Sequence, residues 1–219
     1  GVELAAELSD WFFDSFKKFY KNSLNCDEIA IHLSTDGDCV LKQFHQKIQS
    51  RAAKILGDKE VKIHFQSRAV RIEDKKVVFA DNSEIEAETI VWVAGVTPEK
   101  ITADSAFKRD DCHRIVVNNR LQVVDHPNIF ALGDAASYTP VASTKDGMCR
   151  PLPMLAQVAV VQGKVVGENV FRTIRGLPLK TIKYKRKGDL ISLGSWQALA
   201  DISGVIWSGP LAWFIWRTI

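Results

Sequence analysis

The apolar positions of the first half alternate between helical and extended spacing. Residues 2–20 repeat apolar side chains at helical intervals and carry Trp11, Phe12, Phe13, Phe16 and Phe19, which predicts an amphipathic helix. Residues 28–33 read as a short apolar strand, and the pair makes the first helix–strand step of a Rossmann unit. A second helix is expected over 41–56 with Gly57 as its stop, followed by a strand over 61–65. Short apolar runs at 69–72, 77–79 and 85–87 are separated by Asp74-Lys75 and Asp81-Asn82-Ser83, so a small antiparallel meander is expected. Residues 88–93 are nearly all apolar, the pattern of a strand buried on both faces, and 95–98 is the natural domain boundary.

In the second half, 114–117 and 121–124 flank Asn118-Asn119-Arg120 as a hairpin, and 129–132 form an apolar strand that ends at Gly133-Asp134. The spacing of Leu155, Val158, Ala159, Gln162, Val165 and Val166 predicts a helix from 154 to about 172. Two or three strands are expected after 179, most clearly 181–185 and 189–193, before a final apolar segment over 202–219.

With 219 residues and 46% hydrophobic content there is enough chain for one large or two small cores. A net charge of +3 is too small to point to nucleic acid. Basic residues gather at Lys180, Lys183, Lys185, Arg186 and Lys187, which suits either anionic lipid or a solvated strand face. The cysteines (26, 39, 112 and 149) lie far apart without a C-x-x-C, which argues against zinc or a redox dithiol and fits a reducing compartment. The histidines have no metal-like spacing, so no metal is expected. Position 1 is Gly rather than Met and position 219 falls inside an apolar, aromatic run, so the sequence reads as a piece of a longer protein.

The candidate chemistry centres on residues 128–136. A strand ending in Gly133-Asp134 lets a ligand approach the backbone at the glycine and sets a carboxylate at the carboxyl edge of the sheet, suited to a polyol hydroxyl. The plainer alternative is a surface aspartate that closes a strand. The following helix starts after Pro151 and Pro153, and its free N–H groups can face negative charge developing on a flavin ring. Gln157, among apolar neighbours, is either a core glutamine with a buried partner or an amide turned toward a ligand. Glu3 lies in the first helical turn, where the dipole favours an acid in any case. Gly95, between Ala94 and Val96, is a tight turn, a place where a ligand comes close to the backbone, or both.

These segments, in this order, resemble the type II NADH:quinone oxidoreductases of the two-dinucleotide-domain flavoproteins. Gly1-Val2-Glu3-Leu4-Ala5 resembles the helix start after the nicotinamide-site glycine loop, with Gly1 as the loop's last glycine. Val91-Trp92-Val93-Ala94-Gly95-Val96 resembles the strand and turn leaving the NADH domain, and residues 128–136 the FAD polyol motif. Ala156-Gln157 with Ala159, Gln162 and Gly163 resembles the quinone-side helix. Lys187-Gly188-Asp189-Leu190-Ile191-Ser192-Leu193-Gly194 and the Trp-rich end resemble the membrane-docking region.

The resemblance implies an α/β, Rossmann-like flavoprotein fragment: part of an NAD(P)H domain over 1–95, the later part of an FAD domain over 96–175, and a quinone-site and membrane-docking region over 176–219. It implies FAD and NADH as cofactors, held by Gly1, Ala94, Gly95, Gly133, Asp134, Leu155, Ala156 and Gln157. Glu3 and Gln157 are its candidates for the quinone chemistry, Glu3 through proton delivery. Quinone and the membrane surface are the implied partners, reached monotopically through Trp207, Trp213, Trp216 and Arg217 from the cytoplasmic or matrix side, without proton pumping. The segment 204–217 is too short to span a bilayer, and a helix packed on its own domain is the alternative. A homodimer is compatible with this reading, and the activity is expected of the whole protein rather than of these residues alone.

Two departures stand out. After the strand at 28–33 the chain has Ser34-Thr35, and the first acid is Asp36; after Gly194 it has Ser195-Trp196-Gln197 where the family often has basic residues. A sulfide:quinone oxidoreductase, which needs redox cysteines such as Cys112 and Cys149 near the flavin, and a non-catalytic NAD-binding sensor or membrane-attached module are the alternative functions.

Overall fold

The structure, a computed structural model, describes residues 1–20, 28–96, 98, 106–140, 150–185, 188–202 and 204–218. The chain forms two compact units, one of Gly1–Ala94 with Lys187–Ile219 and one of Gly95–Arg186. The C-terminal stretch from Lys187 on thus packs with the first unit instead of standing as a region of its own. Arg186, Lys187, Cys26 and Cys149, and part of the expected boundary at 95–98, lie outside the described residues.

In the first unit, α1 (Val2–Ser9) continues as a π-helix over Asp10–Phe16 and closes in a short α-helical turn, Lys17–Phe19. The single α-helix expected over 2–20 is therefore corrected. Trp11 and Phe16, five positions apart, meet edge to face with ring centroids 4.3 Å apart. An α-helix brings together residues three and four apart, whereas the π-helical i→i+5 repeat accommodates this pair. The parallel strands β1 (Ile31–Ser34) and β2 (Val61–His64) pair with Ile31 opposite Val61 and Ser34 opposite His64. Between them, α2 (Gln46–Asp58) buries Ile48, Ala52 and Leu56 on one stripe, and His45 caps it by accepting from the Lys47 amide. Gly57 lies inside α2; the helix ends beyond it, where Glu60 takes a positive φ of 61°.

The meander is present as β3 (Ala69–Glu73), β4 (Lys76–Phe79) and β5 (Glu84–Glu86). Residues 88–93 form no strand, and Val91, Trp92 and Val93 are each more than half exposed. A strand that is apolar on both faces needs neighbours for its ladder and for cover, and no strand among the described residues pairs with this one.

The C-terminal part of this unit is an antiparallel sheet of β10 (Asp189–Ser192), β11 (Ala198–Ile202) and β12 (Val205–Ser208), reading β10-β11-β12. The apolar run expected over 202–219 is thus divided, turning at Gly209 (φ 78°) into α4 (Pro210–Thr218). Ala212 packs with Ala198 and Ala200, small residues that let the helix lie close to the sheet. Ile191, Leu193 and Leu199 share one core with Ala5, Ala6, Ile48, Leu56 and Val61. Polar contacts accompany that burial. The Ser192 amide donates to Glu3 Oε1 (3.0 Å), the Ser192 hydroxyl to Glu7 Oε1 (3.2 Å), and the Ser195 amide to Asp10 Oδ2. Asp10, itself buried, also pairs with Lys59.

The second unit pairs β6 (Ile115–Val116) in parallel with β9 (Ala136–Ser137), and β7 (Gln122–Val123) antiparallel with β8 (His126–Phe130). The Asn118 side-chain oxygen accepts from the Arg120 and Gln122 amides and so shapes the expected turn. Helix α3 (Ala156–Ile174) buries Val158, Gln162, Val166 and Asn169. Asn169, fully buried, donates to the carbonyls of Arg120 and Lys180 and accepts from the Lys180 amide at 2.8–3.0 Å. The strand expected over 181–185 is absent. Lys180 gives its backbone groups to this side chain, and the Ile182 amide bonds to the Asn119 carbonyl.

Glycine at 194 is required twice over. Its φ is +92°, and a β-carbon there would run into the Asp10 carboxylate and the Lys59 ammonium. Gly194→Ala is expected to cost at least about 2 kcal/mol, read as a lower urea midpoint at unchanged m-value.

A second test concerns Asp110. Its oxygens accept from the Arg114 amide and Nε at 2.9 and 2.8 Å, and the buried Arg114 also donates to the Leu152 carbonyl. Burial alone would raise the Asp110 pKa, but the bonds from Arg114 and Ser137 outweigh it and hold the carboxyl below its ordinary value. The stability this contributes is fully present above the unfolded value of about 3.9 and is lost as pH falls through the lower native value. Asp110→Asn is expected to flatten the acid limb of the stability–pH curve followed by denaturant titration.

Candidate functional site

At the end of β8 the chain passes through an extended Leu132 into a 3-10 turn, Gly133–Ala135, which packs on α3. Gly133 has a φ of +64°, and a β-carbon there would lie 3.6 Å from that of Ala159. That is an ordinary contact, so the backbone conformation, not lack of room, calls for glycine. The Gly133 amide donates to Gln162 Oε1 at 2.6 Å, and Gln162 is 1% exposed. The turn is pinned from inside by a buried amide, while Asp134 next to it is exposed.

Leu155 precedes α3 in an extended conformation, and its carbonyl accepts from the amides of Val158 and Ala159. Ala156 is exposed and Gln157 half-buried in the first turn. A solvent-facing carboxylate on an anchored positive-φ turn, packed on the helix these residues begin, suits a ligand carrying both hydroxyl groups and a region of negative charge. These are the requirements of a flavin dinucleotide, so the residues present fit that group.

In the first unit, a β-carbon on Gly1 would come within 3.3 Å of Leu33 Cδ1 and 3.4 Å of Val93 Cγ2, so Gly1 lies close against both side chains. Glu3, two residues on, holds the Ser192 amide. Ala94 is exposed. Gly95, in the other unit, has a φ of +81° and open space around it, so its requirement is conformational.

The carboxyl ends of β1 and β2 are bound together. The Thr35 amide donates to the His64 carbonyl (3.0 Å), the Ser67 amide to the Thr35 carbonyl (2.8 Å), and the Ser34 hydroxyl to the Ser67 carbonyl (2.8 Å). His32 Nδ1 and His64 Nε2 are 2.9 Å apart, so one ring donates to the other. Partial burial, then the charges of His64 and Lys62, lower the His32 pKa. Among the described residues no group of three or more His, Cys, Asp or Glu is placed to hold a metal. Cys39 is half-buried and Cys112 exposed.

Gln162, which the sequence places on the helical stripe and in the segment that resembles the quinone-side helix, has a role the sequence analysis did not give it: it is a core glutamine whose buried partner is the Gly133 amide. The signal was available, since Gln162 shares the helical stripe of Val158 and Val166, where an amide has no solvent.

The parallel β1–α2–β2 step and a positive-φ glycine turn at the end of an apolar strand are features of the nucleotide-binding class of α/β protein. Residues 1–163 match the model of the pyridine nucleotide-disulphide oxidoreductase family. The chain belongs to that family. It is 28% identical over 235 residues to the internal alternative NAD(P)H-ubiquinone oxidoreductase A1, mitochondrial, of Arabidopsis thaliana, covering all of this chain and 44% of that protein. It is also 28% identical over 222 residues to a type II NADH:quinone oxidoreductase of Staphylococcus aureus, covering 100% of this chain and 53% of the relative. The chain therefore spans about half the length of the curated relatives it matches. Its fold is similar to that of NDH2 from Plasmodium falciparum in complex with NADH, with a TM-score of 0.81 at 17% identity over 100% of this chain and 59% of that one.

Gln162→Leu leaves the Gly133 amide unpaired in the interior, at a cost of about 1–3 kcal/mol. The expected result is a lower denaturation midpoint in the isosteric variant. A variant as stable as the parent would mean that the Gly133 turn is held by something else.

Proposed function

We propose that this chain is part of an FAD-dependent enzyme that takes electrons from NADH and passes them to a quinone. The observation that carries the reading is the Gly133–Asp134 turn, locked from within by Gln162 and leaving a carboxylate free at the sheet edge. Membership of the family, and the printed activities of relatives that match the chain along its whole length, support it. Bound FAD supplies the two-electron step between nicotinamide and quinone.

Asp134 would hold hydroxyl groups of FAD, and the positive-φ turn at Gly133 would let the group approach the backbone. The α3 start at Leu155 and Ala156 would favour negative charge on the flavin, and Gln157 would serve the quinone. Gly1, Ala94 and Gly95 are each candidates for holding the nicotinamide. Glu3 stands ready for proton delivery while its carboxylate is oriented by the Ser192 amide.

The same reading places the enzyme on a membrane surface. Among the described residues no helix is long and apolar enough to cross a bilayer. Leu211, Phe214 and Trp216 of α4 are exposed, as are Val205 and Trp207 of β12. Arg217 sits 5.4 Å from the Trp213 ring centre. Exposed aromatics beside a cation suit the lipid interface, where a membrane quinone resides. A homodimer belongs to the same proposal.

The test is anaerobic stopped-flow absorbance of the full-length protein, mixed with NADH and then with a short-chain quinone. Bleaching of the flavin band followed by rapid recovery is expected; bleaching without recovery overturns the quinone assignment. Asp134→Ala is expected to lose most of its flavin on purification, and full occupancy would remove Asp134 from the site. Gln157→Leu is expected to slow recovery by quinone more than bleaching by NADH.

A further inference from the structure

The carboxyl end of β1 carries a feature that the hydride and quinone chemistry does not use. In a nucleotide-binding α/β unit this end lies beside the adenosine ribose, where an acid bonds the 2′-hydroxyl and a basic group accommodates a 2′-phosphate. Here the chain runs Ser34-Thr35-Asp36-Gly37. The Ser34 hydroxyl and the Thr35 backbone are already committed to the β2 loop, which fixes the frame. What is left adjustable is Asp36, whose Oδ1 is 3.0 Å from Lys42 Nζ, with both side chains more than half exposed. Lys42 reaches Asp36 by lying across Gly37, so that the tip of a flexible lysine side chain covers the glycine.

An exposed pair of this kind is weakly held. Either partner can turn to a ligand while the other remains in place. We infer that the Asp36–Lys42 pair makes the coenzyme edge dual: Asp36 takes a ribose 2′-hydroxyl, and Lys42 leaves Asp36 to take a 2′-phosphate, so NADH and NADPH bind with comparable affinity. The inference rests on the proposed reading of the protein as a nicotinamide-dependent enzyme. It departs from strict NADH selection, for which an acid with no cation beside it repels the phosphate.

The experiment is an anaerobic titration of the full-length protein, its flavin first reduced with dithionite so that no hydride can be transferred, with NADH and with NADPH, following coenzyme fluorescence to obtain dissociation constants. The two wild-type constants are expected to agree within about tenfold. Lys42→Ala is expected to weaken NADPH about tenfold and leave NADH nearly unchanged, since a charge-assisted bond to phosphate is lost. Asp36→Ala is expected to do the reverse, weakening NADH and strengthening NADPH. Circular dichroism and thermal melting of both variants establish that they fold, which two exposed positions should permit. A wild-type preference for NADH beyond about a hundredfold, or an NADPH constant indifferent to Lys42→Ala, overturns the dual edge and leaves the nicotinamide reading standing. Binding of neither coenzyme overturns both.

Discussion

Asp10 is the charge around which the first unit is arranged. It is buried, and a buried carboxylate persists only when paired and hydrogen-bonded. Lys59, just past the end of α2, supplies the pair, and the Ser195 amide supplies a bond. Ser9, one residue earlier, donates to the Lys59 carbonyl at 2.7 Å. One side chain at the α-to-π junction thus gathers the end of α2 and the turn between β10 and β11. Since breaking one partner of a buried pair costs about 3–5 kcal/mol, these elements are expected to unfold together. Glu7 and Glu3 extend the same grip about one and two turns back along α1. A residue proposed for proton delivery is in this way also a fastening of the C-terminal sheet, and its geometry is set by residues almost the whole chain away.

The second unit rests on amides rather than charges. Gln162 and Asn169, both on the inner stripe of α3, take backbone groups that would otherwise be orphaned, one at the Gly133 turn and one at Arg120 and Lys180. Such side chains cost little to bury when every partner is present and much when one is lost. They also fix α3 against the loops at defined heights. The helix that is proposed to face flavin and quinone therefore cannot slide relative to the Asp134 turn without losing the Gly133 bond.

Elements with strong local signals were legible in the sequence. The α2 stripe, the β3–β5 meander, the Asn118 turn and α3 each follow from periodicity or turn chemistry carried within the segment. What was illegible depended on partners far along the chain. Residues 88–93 have the composition of an interior strand but pair with no described strand, and residues 181–185 alternate like a strand but follow a Lys180 whose backbone bonds to Asn169, and the Ile182 amide goes to the Asn119 carbonyl. The π-helical stretch is invisible to a pattern that assumes one period, although the Trp11–Phe16 interval recorded it. At the candidate site the turn at Gly133 and the exposure of Asp134 were legible because a glycine followed by an acid at the end of an apolar run marks where the strand stops. Gln162 was not, because its partner is a backbone amide that leaves no mark in the sequence.

Helix α4 bears on where the protein works. Its inner face is accounted for: Ala212 meets Ala198 and Ala200, and Trp213 closes against Trp196 with ring centres 4.7 Å apart. If packing on its own unit were the whole reason for its composition, the opposite face should be polar. Instead Leu211, Phe214 and Trp216 point outward, and Val205 and Trp207 on β12 are exposed with them. An apolar exterior of this kind calls for cover, and a helix of nine residues rises only about 14 Å, too little to cross a bilayer. The cover that suits this geometry lies parallel to the helix. On the proposed reading of the protein, a lipid interface is the cover that meets that condition.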